Sequence, residues 1–104
     1  MFAKECRIYI RTLSQTISNI EDGKQLIRSS GSIGANYIEA NEKLGDKDLI
    51  FRLKTSRKEA KESKFWLRLL HELNPDQKTL SDSLLFEIEE LRKILSVIIT
   101  KTSK

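Results

Sequence analysis

Residues 47–73 run for 27 positions without a glycine or a proline, the two residues that most often interrupt a helix. At 100° per residue, Leu49, Leu53, Ser56, Ala60, Ser63, Leu67 and Leu70 fall on one face. That face is continuous, has a helical period and is small at its middle. It predicts a helix over about 47–73 whose centre, at Ser56, Ala60 and Ser63, another backbone can approach closely. The rest of the chain has to be arranged around this element.

Three further helices follow from periodicity and breakers. Cys6, Tyr9, Ile10, Leu13, Ile17 and Ile20 recur at helical spacing and predict a first helix over about 3–20. "EDGK" at 21–24 reads as a turn, and a second helix follows over about 24–43. "LGDKD" breaks it, with Gly45 suited to a C-terminal cap and Asp46 to the next start. "NPDQ" ends the third helix, since Asn74 is biased away from helix by Pro75. "TLSDSLLFEIEELRKILSVII" is the fourth, with Leu84, Ile88, Leu91, Leu95 and Ile98 along one side, and "TKTSK" is expected to fray. One all-α domain over 1–104 is expected, packed as an antiparallel up-and-down four-helix bundle.

Composition closes off several kinds of chemistry. Cys6 is the only cysteine and His71 the only histidine among 104 residues, so no disulfide within the chain and no His/Cys zinc site is expected. Paired carboxylates at Glu59 and Glu62 have no nearby histidine of the kind a di-iron bundle needs. Ser32 lacks a nucleophile-elbow sequence. The expectation is therefore no enzyme activity, no metal and no cofactor. No apolar run approaches the length of a membrane span and no signal peptide is visible at the start, which gives a cytoplasmic expectation.

The second helix carries Ser29, Ser30, Gly31, Gly34 and Ala35, a costly set for a helix interior. Close packing of this small surface against Ser56, Ala60 and Ser63 would offset that cost. The competing reading, a phosphate-binding helix terminus, lacks the strand and glycine loop that usually precede one.

Charge is concentrated in the third helix. Residues 52–68 hold seven Lys or Arg against Glu59 and Glu62, an excess of +5, although the whole chain carries only +4. Lys54, Arg57, Lys61, Lys64 and Arg68 are spaced 3, 4, 3, 4 and form one cationic stripe suited to a phosphate backbone. Phe51, Phe65, Trp66 and Leu69 lie outside the core face and are expected at a subunit interface, with stacking of the aromatics on bases as the alternative. Glu39, Glu59 and Glu62 are expected to pair with Arg28, Arg68 or lysines, and Asn36 with Glu39 to serve buried or interfacial polar groups.

"RSSGSIGANYIEA" and "FRLKTSRKEAKESKFWLRLLHEL" together resemble the paired motifs of the four helix bundle protein family, whose founding members are encoded in 23S rRNA intervening sequences. Arg28, Ser32, Ile33, Asn36 and Glu39 match the first motif. Lys58, Glu59, Ala60, Glu62, Trp66, Leu67 and Arg68 match the second. The resemblance, over about 5–100, implies a four-helix bundle assembling as a homopentamer without enzyme activity. A related accessory protein of retroelements, similar in fold, implies a nucleic-acid-binding basic surface.

Two functions remain at this stage. One is a non-catalytic homo-oligomer that binds RNA or DNA through the stripe. The other is a structural adaptor for a protein partner.

Overall fold

The computed structural model describes residues 1–42 and 46–102. Helices α1 (Phe2–Arg11), α2 (Ile17–Asn41), α3 (Asp46–Leu73) and α4 (Lys78–Thr102) make up nearly all of it, with a single 3-10 turn at Pro75–Gln77. Among the described residues there is no strand. The expected cap at Gly45 lies outside the described residues, as does the side chain of Asp46.

Pairs of contacts set the helix directions. Ser29 meets Ser63 while Ile33 meets Ser56, so α2 and α3 run antiparallel. Lys64 meets Glu89 while Arg57 meets Ser96, so α3 and α4 do too. Ile10 packs at Gly23 and Arg7 approaches Gly31, which places α1 antiparallel to α2. The all-α bundle is as expected from the periodicity.

Two boundaries differ from the sequence reading. The first helix stops at Arg11, and α2 already begins at Ile17. The Thr16 hydroxyl accepts the Asn19 N–H at 3.1 Å, a helix N-cap, and Asn19 Nδ2 donates to the Ser14 carbonyl at 2.8 Å. Asn19 and Asn74 also exchange reciprocal amide hydrogen bonds at 2.8 Å, which ties this turn to the end of α3. Ile17 and Ile20, read as part of the first helix's apolar spacing, lie in α2 instead and are exposed. "EDGK" is not a turn but the second turn of α2. Gly23 is there for close approach: a Cβ would come within 3.3 Å of Ile10 Cγ2. At the other end, α4 continues through Thr102, its last turn closed by the Thr100 and Thr102 hydroxyls donating to Ser96 and Ile98 carbonyls.

The core is built on Cys6, Tyr9, Leu26, Leu53, Leu67, Leu70 and Ile88, all essentially inaccessible. Between α2 and α3 it is small and polar. Ser29, Ser30, Ala60, Ser56 and Ser63 are fully buried there. Ser63 Oγ donates to Ser29 Oγ at 2.7 Å, and Ser56 Oγ donates to the Ile33 carbonyl at 2.8 Å. Each hydroxyl has a partner, so burial does not carry the penalty of an unsatisfied donor. The predicted contact of small surfaces is therefore present, but only its serine half. Gly34 and Ala35 are exposed, and a Cβ on Gly34 would meet nothing within 4 Å.

Opposite substitutions separate the two halves. Gly34→Ala should gain roughly 1 kcal/mol of helix propensity and raise the melting temperature by about 4–8 °C. Ser63→Leu should cost about 1–3 kcal/mol through overpacking and lower it. Circular dichroism melts of the two variants check both signs.

Candidate nucleic-acid interface

The seam with α2 fixes which face of α3 looks outward. Along α3, Phe51, Lys54, Lys58, Lys61, Phe65 and Arg68 are the exposed positions of the ridge, spaced 3, 4, 3, 4, 3. Rising 1.5 Å per residue, the span from Lys54 to Arg68 is about 21 Å. Among the described residues, none of Lys54, Lys58, Lys61 and Arg68 is paired with a carboxylate.

The remaining cations of the predicted stripe turn toward α4. Arg57 and Lys64 are half-buried. Arg57 Nη1 donates to Ser96 Oγ at 3.5 Å, and Lys64 Nζ lies 2.6 Å from Glu89 Oε1. Arg92 Nη2 donates to the other Glu89 oxygen at 3.1 Å. Lys54, Arg57, Lys58, Lys61, Lys64 and Arg92 thus line a groove of about 580 Å³ between α3 and α4, with Glu89 its only carboxylate. Lys58 and Arg92 were not part of the sequence-predicted stripe. Lys58 belongs to it by spacing once the outward direction of α3 is known, whereas Arg92 joins only through the α3–α4 packing.

Hydrogen bonds from Arg92 and then Lys64 hold the Glu89 carboxyl down to about 2. Above that pH it stays ionised and offsets part of the positive charge in the groove.

The aromatic residues divide. Trp66 packs against the core and is half-buried, as is Leu69, while Phe51 and Phe65 are exposed on the same ridge as the cations. Phe65 meets the edge of Trp66, ring centroids 4.9 Å apart and planes at 76°. The sequence reading set all four apart from the stripe as one strip. The actual rotation of α3 interleaves the two phenylalanines with the lysines and leaves Trp66 to the interior.

The polar motif residues also form two groups. Arg28 pairs with Glu59 at 3.4 Å and with Glu62, joining α2 to α3 beside the serine seam. Asn36 Nδ2 donates to the Ser32 carbonyl and hydroxyl at 2.9 and 3.1 Å, and Arg52 Nη1 donates to its Oδ1 at 3.4 Å. Glu39 was expected to pair; it is exposed and makes no ion pair among the described residues.

Two candidate nucleophiles, Cys6 and Ser81, are both buried. Burial pushes the Cys6 thiol up to about 12, leaving it protonated. The fold does bring Ser81, His71 and Asp82 together, a juxtaposition not visible in the sequence. His71 Nδ1 lies 2.5 Å from Ser81 Oγ, and Nε2 lies 3.6 Å from Asp82 Oδ1. Ser81 is fully buried, however, and its hydroxyl also lies against the Gln77 and Lys78 carbonyls. The cluster ties the end of α3 to the start of α4. Among the described residues, no group of three His, Cys, Asp or Glu side chains could hold a metal ion.

Residues 2–97 match the 23S rRNA-intervening sequence protein family. The chain is similar to a crystal structure of a protein of unknown function from the S23 ribosomal protein family of Bacteroides thetaiotaomicron VPI-5482. The two share 29% identity and superpose with a TM-score of 0.72 over 95% of this chain and 98% of that one. No protein of curated function matches.

The pH dependence of the Glu89 contacts has a definite sign. Because the folded state depresses this carboxyl below its usual value of 4.5, its stabilisation is complete above that pH and is lost as pH falls through about 2. The melting-temperature difference between wild type and Glu89→Gln should be constant above pH 5 and close as the pH approaches 2, which a series of thermal melts checks.

Proposed function

The chain belongs to the 23S rRNA-intervening sequence protein family, and from that premise we propose that it is a non-catalytic, homo-oligomeric protein that binds nucleic acid. The cationic groove between α3 and α4 carries this reading, with six Lys or Arg against one carboxylate. Such a surface recognises the phosphate backbone rather than base edges, because Lys and Arg spaced along one helix meet repeated charges. Among the described residues Lys54, Lys58, Lys61 and Arg68 pair with no carboxylate and are open to phosphates, while Lys64 and Arg92 share Glu89.

Self-assembly is part of the proposal, with five subunits as the family resemblance implies. Its support is an apolar groove of about 500 Å³ where α1 begins, lined by Ile33, Tyr37, Ile38, Leu91, Ile94 and Leu95 among others. At ten residues α1 is less than half as long as α2 or α4, so it leaves this stretch of the bundle uncovered. Several copies of a weakly binding stripe would add through multivalency. The same groove favours the second reading, an adaptor whose partner is a protein. Among the described residues no helix is long and apolar enough to cross a membrane, and a cytoplasmic location completes the proposal.

Fluorescence anisotropy with labelled RNA, repeated across salt concentrations, tests the binding. Affinity should fall with salt on a log–log line. Lys58→Glu combined with Lys61→Glu should weaken binding to unrelated sequences alike and flatten the slope by about 0.7–0.9 for each lost phosphate contact. Glu89→Gln should tighten it. No affinity at physiological salt would remove the nucleic-acid reading and leave the adaptor. Light scattering after size exclusion tests assembly; a 12.0 kDa monomer at micromolar concentration contradicts it.

A further inference from the structure

We infer that the nucleic acid taken by this surface is single-stranded, with bases stacking on Phe51 and Phe65 while its phosphates lie on the lysines between them. This rests on the nucleic-acid reading above and names the ligand class of that same site.

The observation is the composition of one solvent-facing ridge. Phe51, Lys54, Lys58, Lys61, Phe65 and Arg68 follow one another at 3, 4, 3, 4, 3 along the exposed side of α3. Phe51 and Phe65 are 61% and 55% exposed. They are fourteen positions apart, so the two rings stand about 21 Å from each other along the axis, close to four full turns. The three lysines between them are unpaired among the described residues. An aromatic ring held in water beside unpaired cations costs apolar exposure and contributes nothing to the core. A ligand that offers both negative charge and flat apolar faces satisfies both halves of the ridge. Single strands do this, because their unstacked bases present π-faces while the backbone presents phosphates. A duplex presents phosphates but keeps its bases stacked internally, so the phenylalanines would have no partner.

Local geometry suits this use of Phe65. It is held edge-on by Trp66, which itself packs on the core. The ring is therefore braced from within the bundle while half of its surface remains open. The Arg52 guanidinium lies over one face of the Phe51 ring, 5.9 Å from its centroid, so a cation already sits on that face. Stacking on aromatic platforms tolerates any base, which is consistent with a surface that otherwise reads charge.

The experiment compares four fluorescein-labelled ligands on the full chain: an RNA oligonucleotide without self-complementarity, the matching DNA strand, the same length as RNA duplex, and the RNA strand with abasic positions. The intact single strand should bind more tightly than the abasic strand and the duplex by at least about fivefold, the lower range of a single base–aromatic stack. The RNA and DNA arms tell whether the 2′-hydroxyl matters. Phe65→Leu and Phe51→Leu should each lose that advantage with an unchanged salt slope, since no phosphate contact is removed. Trp66, the only tryptophan, should change its fluorescence on binding in wild type and respond less in Phe65→Leu. Equal binding of intact, abasic and duplex ligands, with both variants behaving as wild type, would overturn the stacking inference and leave phosphate binding standing. Absence of binding by every ligand would overturn the nucleic-acid reading itself. Conversion of the assembly to monomer by Phe65→Leu, seen by light scattering, would assign the ring to a subunit contact and also overturn the inference.

Discussion

The contact between α2 and α3 governs the rest of the molecule. It is made by hydroxyls and a methyl group: Ser63 on Ser29, Ser56 on the Ile33 carbonyl, and Ala60 between them. Small residues let two backbones come close, and satisfied hydroxyls fix their register more narrowly than aliphatic packing would. Leucines at either end, Leu53, Leu67 and Leu70 on α3 and Leu26 on α2, supply the burial that the serines cannot. Arg28 with Glu59 and Glu62 closes one flank of the seam. Because that pairing is partly exposed, it sets orientation more than it adds stability.

A helix fixed this firmly on one side has its opposite side fixed too. The rotation of α3 sends Lys54, Lys58, Lys61, Phe65 and Arg68 to solvent and turns Arg57 and Lys64 toward α4. Glu89 sits between Lys64 and Arg92 where an incoming phosphate would also be held. Lys64 and Arg92 are thus satisfied within the groove by Glu89, whereas among the described residues Lys54, Lys58, Lys61 and Arg68 pair with no carboxylate. The two sets differ in their surroundings, not in residue type, so the same lysines read from the sequence alone look equivalent.

Much of the architecture was legible because long helices repeat their pattern many times. Leu49 through Leu70 recur over several turns, and Pro75 marks the end of α3, so that element and the bundle class could be read directly. The first two helices were misread where local hydrogen bonds override periodicity. Leu13, Ile17 and Ile20 continue a helical spacing across a break that the Thr16 cap and the Asn19–Asn74 amide pair create. Gly23 looks like a turn residue until Ile10 is seen occupying the space of its side chain. Gly34 looks like a packing residue but faces open space. In the candidate site the cationic character was legible from composition, whereas the interleaving of Phe51 and Phe65 with the lysines was not. Telling them apart required the rotation of α3, and that is decided by serines on another helix. The contributions of Arg92 and Glu89 come from α4, and no spacing within α3 could have indicated them.

The central claim is that the serine seam presents the outer face of α3 as the binding surface. Mapping amide chemical shifts of the isotopically labelled protein during titration with a single-stranded oligonucleotide tests it most directly. The account predicts perturbations concentrated on Phe51–Arg68 and on the Glu89–Arg92 turn of α4, with α1 and the buried serines of α2 little changed. Perturbations centred on the apolar groove around Tyr37, Ile38 and Ile94, with the α3 ridge silent, would contradict it.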